Sequence, residues 1–128
     1  MNNSVSATAT FTQRAALDAF SEDVEKAIKG MVQEFTRRRD FLVAELNGIP
    51  GIHCMKPEGA FYLFPNISSF GKTSKEIAGR LLTEAGVAVL PGTAFGANGE
   101  GFLRLSFANS MSNLETAVER IRKFVSTF

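Results

Sequence analysis

The chain has 128 residues, 45% of them hydrophobic and 21% charged, enough to bury a sizeable core in one domain. A formal net charge of +1 argues against a nucleic-acid partner, which needs a clustered basic face; the basic run Arg37-Arg38-Arg39 lies in a helical pattern that fans its side chains around the axis, and no apolar run approaches the length of a membrane span. The lone Cys54 excludes an intrachain disulfide, and residues 1–10 lack the basic and apolar regions of a signal peptide, so a reducing compartment such as the cytoplasm is expected.

Residues 1–14 form a polar segment rich in Ser, Thr, Asn and Ala, expected to be extended or disordered, and residues 15–128 form the domain. Leu17, Phe20, Val24, Ile28, Met31, Phe35, Leu42 and Leu46 recur at steps of three, four or seven. This spacing predicts a short helix near 11–20 and a long one near 22–47, with the stripe in the core. Ser21 followed by Glu22 and Asp23 marks the start of the long helix, and Asn47-Gly48 with Pro50-Gly51 marks its end.

Residues 52–55 and 60–64 then read as two strands joined by the turn Lys56-Pro57-Glu58-Gly59. His53 and Cys54 are adjacent on a strand and point to opposite faces, so they do not begin a metal site. Thr73 with Glu76 three residues on forms a capping box for a helix carrying Ile77, Leu81 and Ala85 and ending at Gly86. Residues 87–90 and 102–107 read as a third and a fourth strand. Ser112 with Glu115 forms a second capping box, opening a last helix with Leu114, Val118, Ile121 and Val125 on one face. The expected fold is α+β, an antiparallel four-stranded sheet with helices packed on one face.

The run from Phe102 to Phe107 alternates, with Leu103, Leu105 and Phe107 on one side and Phe102, Arg104 and Ser106 on the other. Arg104 has no charged neighbour in sequence between Glu100 and Glu115. Its fork of donors either reaches solvent or takes a carboxylate or phosphate, and the residues alone leave both open. Ser69-Phe70-Gly71-Lys72-Thr73 sits where a phosphate-binding loop would, between a strand and a helix. Such a loop needs Gly at position 66, where the chain has Asn66.

Three runs carry a resemblance: Pro57 to Pro65, Gly86 to Gly96 (Val-Ala-Val-Leu-Pro-Gly-Thr-Ala-Phe within it) and Gly101 to Asn109. In order and spacing they resemble the carboxy-terminal small domain of class I/II, fold-type I aminotransferases. They are most similar in look to bacterial and plastid-type aspartate aminotransferases. The resemblance covers essentially the whole chain. It implies that Arg104 grips the substrate α-carboxylate, that Phe61 is a strand aromatic near the substrate, and that Pro91, Gly92 and Phe95 belong to a loop approaching the site. It also implies pyridoxal phosphate as cofactor, an amino acid and a 2-oxo acid as substrates, and a homodimer in the full enzyme. No catalytic residue is expected here, because the family's Schiff-base lysine and cofactor-binding residues lie upstream of these runs. The partial likeness of Ser-Phe-Gly-Lys72 to the lysine signature falls at the wrong place. The chain is thus expected to be a fragment, inactive without its large domain. The competing reading is a free-standing α+β ligand-binding or interaction domain without catalysis.

Overall fold

The computed structural model describes residues 7–128. Residues 1–6 of the expected extended segment lie outside the described residues. Residues 10–14 are helical instead: the first helix, α1, spans Thr10–Ala16. The Gln13 amide donates to the Thr8 carbonyl at 2.6 Å, which ties the polar lead-in to that first turn. The chain divides into two compact units, one ending at Glu34 and the other spanning Phe35–Phe128.

The first unit holds α1, a 3₁₀ turn at Leu17–Phe20 and the opening turns of α2, Glu22–Asn47. The start of α2 is the predicted one. The Ser21 hydroxyl accepts from the Val24 N–H at 3.4 Å, and Glu22, Asp23 and Glu25 occupy the first turn. The predicted core stripe is not buried in this unit: Leu17 is 70% exposed, Phe20 90% and Met31 55%. Periodicity identifies the face that seeks a partner, but it does not supply one, and only Leu42 and Leu46 of α2 are buried.

The second unit is built on three strands rather than four: β1 (Tyr62–Leu63), β2 (Leu90–Pro91) and β3 (Leu103–Ser106), in the order β1-β3-β2. Both pairings are antiparallel, with Leu63 opposite Leu105 and Leu90 opposite Arg104. The expected strand at 52–55 shrinks to one bridge, His53 with Asn66, and no hairpin forms. The reason is a side chain that substitutes for a neighbouring strand. The Asn47 amide accepts from the Cys54 N–H at 2.9 Å and donates to the Cys54 carbonyl at 2.8 Å. It also donates to the Val43 carbonyl at 2.9 Å, so one residue ends α2 and satisfies the backbone of the next segment.

Two helices follow the capping chemistry. The third helix, α3 (Ser74–Ala85), starts at Thr73, whose hydroxyl accepts from the Glu76 N–H at 3.1 Å. It ends at Gly86, left-handed at φ 65°. The fourth helix, α4 (Met111–Val125), is capped by Ser110, two residues before the expected Ser112. Asn109 decides this: its side-chain oxygen accepts from both the Ser110 N–H and the Asn113 amide at 2.9 Å, fixing the first turn there. The core gathers Leu42 and Leu46 of α2, Ile77 and Leu81 of α3, and Leu114, Val118 and Ile121 of α4 around Leu63, Leu103, Leu105 and Phe107. Among the described residues no helix is long and apolar enough to cross a membrane.

The loop from β2 to β3 folds as two 3₁₀ turns, Gly92–Phe95 and Ala97–Gly99. Gly92 and Gly99 press backbone to backbone, and a Cβ on either would collide with the carbonyl oxygen of the other. Glu100 then ties the loop to α3: its carboxylate accepts from the Ser74 N–H at 2.8 Å and the Gly101 N–H at 3.0 Å. The Ser74 hydrogen bond, first, and the Gly101 bond hold the Glu100 carboxyl below its usual value of 4.5.

Two outcomes follow. Asn47→Ala removes both bonds to the buried Cys54 backbone, and urea unfolding should report a loss of about 1–3 kcal/mol. A loss below 0.5 kcal/mol would contradict the role given to this side chain, about the size of a neutral surface change. Because the Glu100 carboxyl is lowered on folding, its contribution is full above the usual 4.5 and fades as pH falls through the lowered value. Glu100→Gln should therefore flatten the acid limb of a melting-temperature profile below that pH. An unchanged acid limb would show that the ionised carboxylate does not hold the loop.

Candidate functional site

Alternation along β3 builds the site. Leu103, Leu105 and Phe107 are buried at 4%, 8% and 2% exposure, so Arg104 between them is turned to the outer face of the sheet. Tyr62 pairs with Ser106, the next residue on that same outer face, which makes Tyr62 the diagonal neighbour of Arg104. The Arg104 guanidinium carbon lies over the Tyr62 ring at 4.2 Å and over the Phe95 ring at 4.3 Å. Phe95 comes from the glycine loop, so a strand and a loop each supply one ring. Among the described residues the Arg104 guanidinium makes no hydrogen bond and no ion pair. A cavity of about 220 Å³ beside it is lined by Ala88, Val89, Leu90, Arg104 and Ser106. That is below the usual range for drug-sized ligands and suits a small acid or part of one.

The structure brings some of the expected site residues together and separates others. Phe95 touches Arg104 directly. Pro91 lies opposite Leu103 in the β2–β3 ladder, and the Gly92 N–H donates to the Phe102 carbonyl at 2.8 Å. These two residues anchor the loop that carries Phe95. Phe61 stacks on Phe35 with ring centroids 6.4 Å apart and meets the Tyr62 ring at a tilt, 4.4 Å between centroids, and so reaches Arg104 through Tyr62. Tyr62 itself was not singled out from the sequence. The alternation of Arg104 was visible there, but the β1–β3 register that sets Tyr62 beside it depends on which strands pair.

Other chemistry-bearing residues are elsewhere. Cys54 is 2% exposed, and burial raises its thiol to about 11, which keeps it protonated and inert. His53 beside it is exposed, and among the described residues no group of His, Cys, Asp and Glu could hold a metal. Lys72 is exposed and paired with Glu76 at 3.1 Å, at the rim of a cavity with Ser68, Gly71, Thr73, Glu100 and Gly101. That cavity presents the Glu100 carboxylate, which disfavours the phosphate that the Ser69–Thr73 run suggested.

The family model for aminotransferases of class I and II matches residues 1–121. The chain is 46% identical over 116 residues to an aspartate aminotransferase of Pyrococcus horikoshii, covering 90% of the chain and 30% of that protein. It is 41% identical over 121 residues to a probable N-acetyl-LL-diaminopimelate aminotransferase of Bacillus subtilis, covering 94% of the chain and 30% of that protein. The solved structure of an aromatic aminotransferase from Pyrococcus horikoshii superposes with a TM-score of 0.84 at 42% identity, over 88% of this chain and 30% of that one. The chain thus spans about 30% of the length of the curated relatives it matches. The α+β fold and a family match over nearly the whole length agree, and the chain belongs to the class I and II aminotransferases.

Proposed function

We propose that this chain is the small, substrate-carboxylate-binding domain of a pyridoxal-phosphate-dependent aminotransferase. In the full enzyme Arg104 binds the α-carboxylate of the amino acid and of the 2-oxo acid. The observation that carries this reading is a guanidinium on the outer face of β3 whose fork has no acceptor among the described residues. Bidentate pairing to a carboxylate satisfies that fork and fixes the orientation of the ligand at once. The reaction favoured is amino transfer between aspartate and 2-oxoglutarate, on the strength of the 46% identity to an aspartate aminotransferase.

The family is dependent on pyridoxal phosphate, which supplies an electron sink for the bond-breaking at the substrate α-carbon. The described residues around Arg104 do not fit that cofactor. Lys29, Lys56 and Lys72 are surface amines paired with Glu25, Asp40 and Glu76, and Lys26, Lys75 and Lys123 are exposed on helices. None stands beside Arg104. This chain's share of the work is therefore to bind and orient the carboxylate, with the large domain and a homodimer partner completing the site. The exposed apolar residues of the first unit, Phe11, Leu17 and Phe20 among them, suit a face covered by those partners.

Two measurements test the proposal. In an enzyme carrying this domain, Arg104→Gln should lower kcat/KM by roughly 30- to 4,000-fold on every amino acid substrate, and Arg104→Lys by less. A loss confined to dicarboxylic substrates would assign Arg104 to side-chain selection instead. Mixed with pyridoxal phosphate and reduced with borohydride, the isolated chain should show scattered, substoichiometric labelling of its lysines by mass spectrometry. One stoichiometric adduct at Lys72, with turnover of aspartate, would overturn the division of labour.

A further inference from the structure

We infer that Tyr62 and Phe95 are positioning residues: their two rings hold the Arg104 guanidinium in place while leaving its fork of N–H donors to the carboxylate. This rests on the reading that Arg104 binds a carboxylate, and extends it to residues that need not touch the ligand.

The chain contains its own template for the arrangement. On α3, the Arg80 guanidinium carbon lies over the Phe124 ring at 5.2 Å and over the Phe128 ring at 4.8 Å. The same guanidinium donates from Nε to one Glu84 oxygen at 2.8 Å and from Nη2 to the other at 3.1 Å. Contact with two rings and a two-point grip on a carboxylate therefore coexist on one arginine. Arg104 shows the first half of that pattern, with rings at 4.2 and 4.3 Å, closer than those of Arg80. The second half, the carboxylate, is what a ligand would bring.

The physical gain is in ordering. Arginine has a long, rotamer-rich side chain, and immobilising one on binding lowers affinity by roughly three- to tenfold. Rings attract the guanidinium through its charge and accept little from its N–H groups, so they restrict it without occupying the donors. A carboxylate of the chain in their place would restrict it and close the fork. The two rings come from independent elements, Tyr62 from β1 and Phe95 from the loop anchored at Gly92. Phe95 is 51% exposed and outside the core, so its removal leaves the fold intact.

The sequence provides the probe. Tyr62 is the only tyrosine and the chain has no tryptophan, so its intrinsic fluorescence reports from one ring in contact with Arg104. The intact chain is titrated with sodium L-aspartate at constant ionic strength, with sodium chloride as control. In parallel, the Nε–H signal of Arg104 is followed by nitrogen-edited NMR, with Arg80 as an internal reference. Wild type should give a saturable change with aspartate only, and Arg104→Gln none. Phe95→Leu and Tyr62→Leu, the latter read by NMR, should weaken binding roughly three- to tenfold and move the Arg104 signal alone. Phe95→Tyr and Tyr62→Phe should restore both. If Arg104→Gln titrates like wild type, the carboxylate reading itself fails. If Arg104→Gln loses binding while both leucine variants bind as wild type, the positioning role is overturned and the carboxylate reading stands.

Discussion

Leu103, Leu105 and Phe107 lie under the helices at 8% exposure or less, and a strand that buries every second residue must turn the ones between them outward. The position of Arg104 follows from that constraint. A slip of one residue in β3 would send the guanidinium into the core and three large apolar side chains into water. Each of those side chains gains about 1.5–3 kcal/mol on burial, so the register is held far more strongly than any contact of Arg104 could hold it. The Arg104 side chain is placed by its neighbours on the opposite face.

The same economy governs the loop from β2 to β3. The contact between Gly92 and Gly99 leaves no room for side chains, so the backbone is fixed by shape, and Glu100 fastens its end to the start of α3. Carboxylate hydrogen bonds to backbone N–H groups at a helix start also meet the positive end of the helix dipole. A loop held at its base in this way can display Phe95, 51% exposed, without relying on that ring for stability. Side chains freed from stabilising work are the ones available to meet a ligand.

Much of this was legible in the sequence where the signal was local. The bounds of α2 and the cap of α3 follow from residues within four positions of each helix end, and the outward turn of Arg104 follows from period-two alternation in one strand. What stayed hidden depended on distant partners or on competition between equal candidates. Ser110 and Ser112 both suit a helix cap, and the choice falls to Asn109. Residues 52–55 have strand-like composition, but Asn47 claims the backbone of Cys54 before a strand can. Tyr62 meets Arg104 only because β1 lies beside β3 rather than beside β2, and nothing in either strand alone states that order.

The apolar stripe of the first unit raises a different question, since Phe20 at 90% exposure satisfies every rule of helical periodicity and still meets water. Periodicity encodes a demand for a partner surface, and a chain spanning about 30% of its relatives' length need not contain the supply. Arg104 poses the same problem in electrostatic form. A half-exposed guanidinium attracts a carboxylate through water and salt, which screen it within about 10 Å. On the proposed reading, enclosure by a second protein surface removes both, and a two-point grip on a carboxylate then becomes strong enough to orient a substrate. Each demand is met, on that reading, from outside this chain. A partner surface covers the stripe that is exposed here, and enclosure excludes water from the arginine that the core of this chain has already aimed outward.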